Sequence, residues 1–165
     1  MSFWLSLLLL QAAPVVTPSA PPFAMPGEDA VDPYSMDDAN AGAEPFTGDG
    51  MAKAFGGQDG IRHIVDRLIN LSYDDPVIGE IFKGHDEVRI KRTIFEQFCH
   101  ILNAGCAYSG RNMVSSHKDL GVQRKDMNRL VELLQKAMRE QGVGFQAQNR
   151  FLSKLAPMHH DIVGQ

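Results

Sequence analysis

The sequence predicts an all-α fold preceded by an N-terminal extension without regular structure. After residue 53, apolar residues recur at every third or fourth position, as they do on the buried face of an amphipathic helix. Residues that cap or end helices separate these stretches, and no stretch shows the alternation that is typical of a β-strand. We therefore expect about five main helices joined by short connections.

The first long helix is predicted to begin after a glycine turn at 56–57, with Asp59 as its N-cap. Its apolar stripe consists of Ile61, Ile64, Val65, Leu68 and Ile69 and ends at Ser72 or Tyr73. The helix is expected to end before Pro76. Asp75 should then cap a short helix that begins at Pro76 and carries Phe82.

Three further helices are predicted in the second half of the chain. Asp86 is expected to cap the first of them, over 86–103, with its inner side formed by Ile90, Ile94, Phe98, Ile101 and Leu102. The second runs over 123–141, with a stripe of Met127, Leu130, Val131, Leu134 and Met138. The last covers 145–163, and Pro157 should kink it or weaken its middle.

The first 52 residues differ from the rest in charge and composition. They contain seven acidic residues and no Lys or Arg, whereas the remainder carries 16 basic and 13 acidic residues. Seven of the nine prolines fall within 14–52. These features predict a disordered acidic Pro/Ala/Gly-rich linker over 14–52 and a folded domain over 53–165. The small positive excess of the domain does not suggest nucleic-acid binding.

Residues 1–13 are a possible signal peptide. The apolar run 3–10 is shorter than the roughly 20 residues that span a bilayer, and small residues follow it. The usual basic residues before such a run are missing. A true start at Met25, Met36 or Met51 would instead give a cytoplasmic protein. We expect export, for example to a periplasm, and no stable membrane insertion of the folded domain.

The stretch 86–122 contains the candidate functional residue, His117. This histidine follows a Tyr-Ser-Gly turn at 108–110 and is predicted to lie opposite the apolar side of helix 86–103. An imidazole that faces an apolar slot suits an iron porphyrin, which needs a nitrogen ligand and a dry pocket. One histidine alone is weak support, so the interpretation depends on the surrounding motifs.

Four motifs occur in a fixed order along the domain: Phe55-Gly56-Gly57; Asp74-Asp75-Pro76 through to Phe82; Ala107 to Val122 around His117; and Ala156-Pro157 followed by Asp161-Ile162-Val163. Together they resemble a group I truncated haemoglobin, which has the two-over-two variant of the globin fold. The resemblance covers all of the predicted domain, 53–165.

The resemblance implies a non-covalent haem b with His117 as the proximal iron ligand. The other ring nitrogen should bond a backbone carbonyl or water, and Phe82 would stack on the porphyrin. The distal lining would be Leu68, Ile69, Ile90, Ile94 and Phe98. The rest of the enclosure would be Met113, Val122, Met127, Phe151 and Leu155. Lys91 or Arg92 could pair with the propionates. Covalent attachment of the c type is not expected, since the sequence has no Cys-x-x-Cys-His.

The sequence departs from the family at the positions that would face a bound gas. The family usually has a tyrosine where this chain has Ile69, and often a glutamine where it has Ile94. Some relatives supply a second histidine at the position of Thr93. The predicted distal side is therefore apolar, with Thr93 as the only nearby candidate donor.

The function implied by the resemblance is reversible binding of a diatomic gas (O2, CO or NO) at pentacoordinate iron, for transport, scavenging or sensing. The alternative is a haem redox protein that consumes nitric oxide, cleaves peroxide or transfers electrons, served by an unidentified reductase. A third possibility is a helical domain that has lost its haem and binds a protein. An apolar distal side lacks the acid–base group that peroxide cleavage requires, which favours gas binding. The sequence contains no feature that clearly indicates an oligomer.

The remaining histidines and the two cysteines are expected to be structural. Solvent-facing or helix-surface positions are expected for His63, His85, His100, His159 and His160. In a continuous helix the Cα atoms of Cys99 and Cys106 would lie about 10 Å apart, too far for a disulfide. Because Cys106 falls beyond the predicted helix end, a disulfide remains possible, but buried free thiols are the simpler interpretation.

Overall fold

The computed structural model describes residues 24–165, and these residues form helices and no β-strand. A short 3-10 helix, Asp38–Ala41, precedes α1 (Gly50–Ala54), α2 (Gly57–Tyr73), α3 (Gly79–Phe82), α4 (Glu87–Ile101), α5 (Met113–His117), α6 (Arg124–Glu140), α7 (Phe145–Leu155) and α8 (His159–Ile162). A second 3-10 turn, Ala156–Met158, joins α7 to α8. The all-α prediction is confirmed.

Two pairs of long helices enclose the core. α2 packs against both α4 and α6, and α7 packs against α6. Three phenylalanines join these elements: the ring centroid of Phe151 lies 5.1 Å from that of Phe55 and 4.9 Å from that of Phe98, both in edge-to-face contact. Because aromatic rings attract one another edge to face, this cluster fixes α7 against α4 and the C-terminal end of α1.

The predicted caps set most of the helix ends. Asp86 accepts a 3.0 Å hydrogen bond from an amide in the first turn of α4. Asp75 accepts from the next two amides after Pro76, and this capped turn delays the start of α3 to Gly79 instead of Pro76. Pro157 divides the last predicted helix into α7, the 3-10 turn and α8, because its ring removes one helical hydrogen bond.

The start of α2 differs from the prediction that Asp59 caps it. Gly56 precedes the helix in a left-handed conformation, with φ of 78°. The Gly60 amide bonds the Gly56 carbonyl, and a Cβ at Gly60 would lie 2.0 Å from the carbonyl oxygen of Phe55. The entry to α2 is therefore a backbone turn that requires glycine, and Asp59 lies within the first helical turn.

Residues 28–46, here called the N-terminal arm, pack on the domain, so the prediction of a disordered linker is wrong for this part of the chain. The carboxylate of Glu28 pairs with the guanidinium of Arg92 in α4. The amide of Phe46 donates a 2.9 Å hydrogen bond to the carbonyl of Ile101. Composition failed to predict this order because the arm is held by polar contacts to distant residues, which do not require apolar periodicity of its own.

The possible signal peptide 1–13 and the first part of the predicted linker, 14–23, lie outside the described residues. Within residues 24–165, no helix is both long and apolar enough to cross a bilayer.

Cys99 and Cys106 form a disulfide, which corrects the expectation of free thiols. α4 ends at Ile101, and the chain then reverses through Asn103 and Gly105, both with positive φ. This reversal brings the Cα atoms of the two cysteines to 5.6 Å, within bridging distance. The bridge therefore ties the end of α4 to the loop that leads towards α5.

We expect reduction of this disulfide to lower the free energy of unfolding by about 2–3 kcal/mol, since it frees a short closed loop in the unfolded chain. Cys106 is half-buried and thus open to a dithiol. Urea unfolding of the full chain with and without dithiothreitol measures the difference. The variant Cys106→Ser should unfold at the lower midpoint in both conditions. Equal midpoints for the oxidised and reduced wild type would contradict the prediction.

Candidate functional site

The candidate ligand, His117, is the last residue of the short helix α5. Asn112 caps this helix by accepting a 2.9 Å hydrogen bond from the amide of Ser115. The Nδ1 atom of His117 lies 2.8 Å from the carbonyl oxygen of Met113. Because a carbonyl only accepts, Nδ1 carries the proton and Nε2 carries the lone pair. The helix thus selects the tautomer whose Nε2 can bind a metal.

The surroundings of His117 keep its ring neutral. Burial lowers the pKa of the imidazole below 6.5, and this outweighs the opposing effect of the hydrogen bond to Met113. Desolvation disfavours the charged form of any histidine, which explains the direction. A neutral imidazole is the form that ligates iron, so the protonation state at neutral pH suits that role.

The predicted lining residues fall into two sets. One set is fully buried in the core: Leu68, Ile69, Phe98, Met113, Val122 and Phe151. The other set is half-buried and packs on the edge of that core: Phe82, Ile90, Ile94, Met127 and Leu155. The second set leaves apolar surface partly open on α3, α4, α6 and α7, so these side chains are better placed to contact a cofactor.

Phe82 has an aromatic neighbour that the sequence interpretation missed. Its ring centroid lies 5.8 Å from that of Tyr73, with the planes tilted by 49°. The Tyr73 hydroxyl donates a 3.1 Å hydrogen bond to the carbonyl of His85, which ties the end of α2 to the turn before α4. Tyr73 therefore holds the Phe82 ring close to the end of α2 and to the turn before α4. Tyr73 stands at the end of the predicted apolar stripe of α2, but its contact with Phe82 was not predicted.

The distal side lacks a free donor at the three positions considered. Ile69 is fully buried in α2, and Ile94 is half-buried in α4. The Thr93 hydroxyl lies 2.9 Å from the carbonyl of residue 89 and donates within its own helix. Threonine commonly makes this bond to the preceding turn, and its proton then points along the helix. Thr93 is therefore not a distal donor in this structure.

Lys91 and Arg92, the two basic residues considered as partners of the haem propionates, differ in exposure and in their ion pairs. The amine of Lys91 contacts Glu87 at 2.7 Å and Asn70 at 3.0 Å, and these partly exposed contacts can be exchanged. The side chain of Arg92, by contrast, is only 4% exposed and pairs with Glu28 and Glu96. Arg92 is thus committed to these carboxylates, and the propionate alternative is wrong for it.

Of the other described histidines, His100 has the environment most like that of His117, although its contact to a backbone carbonyl is longer. His63 and His85 are exposed, and the ring centroids of His159 and His160 lie 5.8 Å apart. His100 is half-buried, with Nδ1 3.3 Å from the carbonyl of Cys106. Among the described residues, no group of three or more His, Cys, Asp or Glu side chains could hold a metal ion.

The all-helical fold and the half-buried imidazole of His117, with Nδ1 bonded to a backbone carbonyl, are features of a small protein of the globin class. The sequence model of the family described as bacterial-like globin matches residues 51–164. The chain therefore belongs to the bacterial-like globin family, and membership of this family implies haem binding.

The relatives narrow the resemblance to truncated haemoglobins. The group 1 truncated hemoglobin GlbN of Nostoc commune is 24% identical over 110 residues, which cover 67% of this chain and 93% of that protein. The GlbN of Nostoc sp. (strain MUN 8820) is 26% identical over the same coverage. These relatives confirm the group I truncated haemoglobin resemblance.

Solved structures confirm the two-over-two fold. The truncated hemoglobin of Tetrahymena pyriformis in the Fe(III) form superposes with a TM-score of 0.67 at 20% identity, over 70% of this chain and 98% of that one. The 2/2 hemoglobin of Synechococcus sp. PCC 7002, in the cyanomet state and with covalently attached heme, gives a TM-score of 0.63 at 16% identity and equal coverage.

The residues present fit the haem that the family implies. Among the described residues, Nε2 of His117 has no hydrogen-bond partner, and its ring is neutral at neutral pH. The half-buried residues of α3, α4, α6 and α7 are apolar and can cover a flat hydrophobic ring. The donor chemistry is that of a haem axial ligand, since imidazole is the proximal ligand of globins.

Proposed function

We propose that this protein binds a diatomic gas (O2, CO or NO) reversibly at the iron of a non-covalent haem b ligated by His117. The observation that supports it most is the 2.8 Å contact between Nδ1 of His117 and the Met113 carbonyl, since it leaves Nε2 free as an iron ligand. A bound haem would supply the iron atom to which the gas binds. His117 would supply a nitrogen ligand to that iron, and the half-buried apolar side chains of α3, α4, α6 and α7 would enclose the haem.

The distal residues favour binding of a gas over chemistry on it. Ile69 and Ile94 offer no hydrogen bond to a polarised gas molecule, and the Thr93 proton is used within α4. Peroxide cleavage needs a positioned acid–base group, and neither isoleucine nor a hydrogen-bonded threonine provides one. The proposed role is accordingly transport, scavenging or sensing of a gas that is released quickly.

The state of the two cysteines supports the proposal that the haem is held without a thioether bond. Cys99 and Cys106 are bonded to each other, so neither thiol is available to add to a haem vinyl group. The haem should therefore be removable by acid–ketone extraction.

Optical spectra of the full chain test the proposal. The protein is mixed with haemin, purified from the excess, and recorded as ferric, ferrous and ferrous–CO forms. We expect stoichiometric uptake and a Soret band that moves on reduction and moves again with CO. A chain that takes up no haem would overturn the proposed function.

Ile94→Gln should slow oxygen release about tenfold to a hundredfold. A side-chain amide at this half-buried position can donate to a polarised gas, and such a hydrogen bond contributes about 1–3 kcal/mol. Stopped-flow displacement of oxygen by CO measures the release rate. Ile94→Leu, which keeps the volume and adds no donor, serves as the control. An unchanged rate in Ile94→Gln would show that the position does not face the gas.

A further inference from the structure

Ser109, eight residues before His117, is held at all three of its polar groups by side chains from elsewhere in the fold. Its amide donates to a carboxylate oxygen of Glu96 at 2.9 Å, and its hydroxyl donates to the same oxygen at 2.6 Å. The hydroxyl also accepts from Arg92. Its carbonyl accepts a 2.8 Å hydrogen bond from the hydroxyl of Tyr34 in the N-terminal arm. One residue of the loop before α5 thus contacts both α4 and the arm.

The neighbouring loop residues are held in the same way. The Asn40 amide donates to the carbonyl of Gly110 at 3.4 Å, and the Arg111 guanidinium donates to the carbonyl of Asp32 at 3.1 Å. That guanidinium also lies over the ring of Tyr34, 4.9 Å from its centroid. We call residues 108–111 the proximal loop. The arm contacts each of the residues 109, 110 and 111 in turn.

A buried charge cluster anchors the arm to α4. The side chain of Glu28 is fully buried, and that of Arg92 is 4% exposed. Burial alone would raise the pKa of Glu28, but the hydrogen bonds from Arg92 and from the Met25 amide lower it overall. The carboxylate therefore stays charged at neutral pH and holds Arg92, whose guanidinium in turn bonds Ser109.

α5, the helix that carries His117, is too short to be stable without contacts to the rest of the fold. α5 contains five residues, and isolated helices shorter than about 12–15 residues are marginal in water. α5 packs on α8, and its first residue, Met113, is buried in the core beside Gln97 of α4. The proximal loop ends two residues before Met113 and so sets the position from which α5 starts. The loop in turn is held by α4 and by an arm that precedes the family match at 51–164.

We propose that the N-terminal arm positions the iron-ligating histidine by holding the proximal loop, with Tyr34 and Glu28 as positioning residues that act through Ser109. The proposal rests on the proposed function, because it concerns the geometry of the iron ligand. It assigns a role in the haem site to a segment that lies before the globin family match.

Tyr34→Phe in the full chain tests the proposal with the smallest change. It removes the hydroxyl that bonds the Ser109 carbonyl and keeps the ring under Arg111. Without haem, hydrogen exchange of the α5 amides should be about fivefold faster, the equivalent of one lost hydrogen bond. With haem, the iron–histidine stretching band of the ferrous form should shift in the resonance Raman spectrum. Glu28→Gln, which removes the charge that holds Arg92, should shift the same band.

Tyr73→Phe is the matched control for the exchange experiment. It also removes a tyrosine hydroxyl that donates to a backbone carbonyl, but at the turn before α4. Its α5 amides should exchange as in the wild type. Equal acceleration in Tyr73→Phe and Tyr34→Phe would mean general destabilisation and would overturn the proposal.

The remaining outcomes separate this inference from the proposed function. A wild type that binds haem, with an iron–histidine band that neither arm variant moves, overturns the inference alone. Unchanged α5 exchange in both arm variants does the same without any haem. A wild type that takes up no haem overturns the proposed function, and the inference about the iron ligand falls with it.

Discussion

Replacing His117 with Ala should abolish axial ligation and reduce haem affinity by more than about 100-fold, since loss of a partner that only orients a metal ligand already costs about 10–100-fold. The physical reason is that Nε2 of this ring is the nitrogen left free by the Nδ1 contact to Met113. The ferrous spectrum should lose the features of a histidine-ligated iron. Haem titration followed at the Soret band measures the affinity.

Two comparisons make this result specific. His117→Gly should recover the histidine-type spectrum when free imidazole is added, because the small residue leaves room for the missing ring. His100→Ala removes a half-buried imidazole whose Nδ1 lies 3.7 Å from a carboxylate oxygen of Asp38, and it should retain the wild-type spectrum. A His117→Ala protein with wild-type spectra would assign the iron ligand to another residue.

Arg92→Met should lower the free energy of unfolding by about 3–5 kcal/mol, because it removes the nearer cation from the buried carboxylate of Glu28, which then has Arg89 at 3.5 Å, and it also unpairs Glu96. The side chain of Glu28 is fully buried and that of Glu96 is 14% exposed, so water can hardly replace the guanidinium. Since small domains are stable by about 5–15 kcal/mol, this is a large fraction of the total. Urea unfolding of the full chain at neutral pH measures it.

The exposed ion pair between Arg67 and Glu140 provides the control. Its side chains are 45% and 42% exposed, and the same replacement, Arg67→Met, should cost no more than about 1 kcal/mol. Adding Glu28→Leu to Arg92→Met should restore part of the loss, because it removes one of the stranded charges. Similar midpoints for the Arg92 and Arg67 variants would show that burial does not govern the strength of these pairs.

Sequence spacing predicted the parts of the fold that depend on near neighbours. The apolar stripes predicted α2, α4 and α6, and Asp86 caps α4 as expected, whereas Asp75 caps a turn that precedes α3. His117 is a candidate ligand because the loop before it resembles that of the family, and its tautomer follows from a contact four residues away.

The features that spacing missed depend on residues far apart in the chain. Glu28 and Arg92 are 64 residues apart, so no local pattern marks Arg92 as buried. The spacing of four residues between Arg92 and Glu96 predicts an ion pair on one face of α4, but it does not indicate that the pair is buried. The disulfide was missed because its geometry depends on the chain reversal at Asn103, whose φ of 58° is rare outside glycine.

The N-terminal arm also has a consequence for the order of folding. Its contacts reach 57 residues along the chain to Asp86 and 110 residues to Lys154. Such contacts form late in folding, after the helices that they join to the arm. The reason is that closing a long loop costs entropy before the contact contributes any favourable energy. During synthesis, the arm leaves the ribosome before the helices that receive it. The arm, although synthesised before α4 and α7, is therefore expected to dock after these helices are in place.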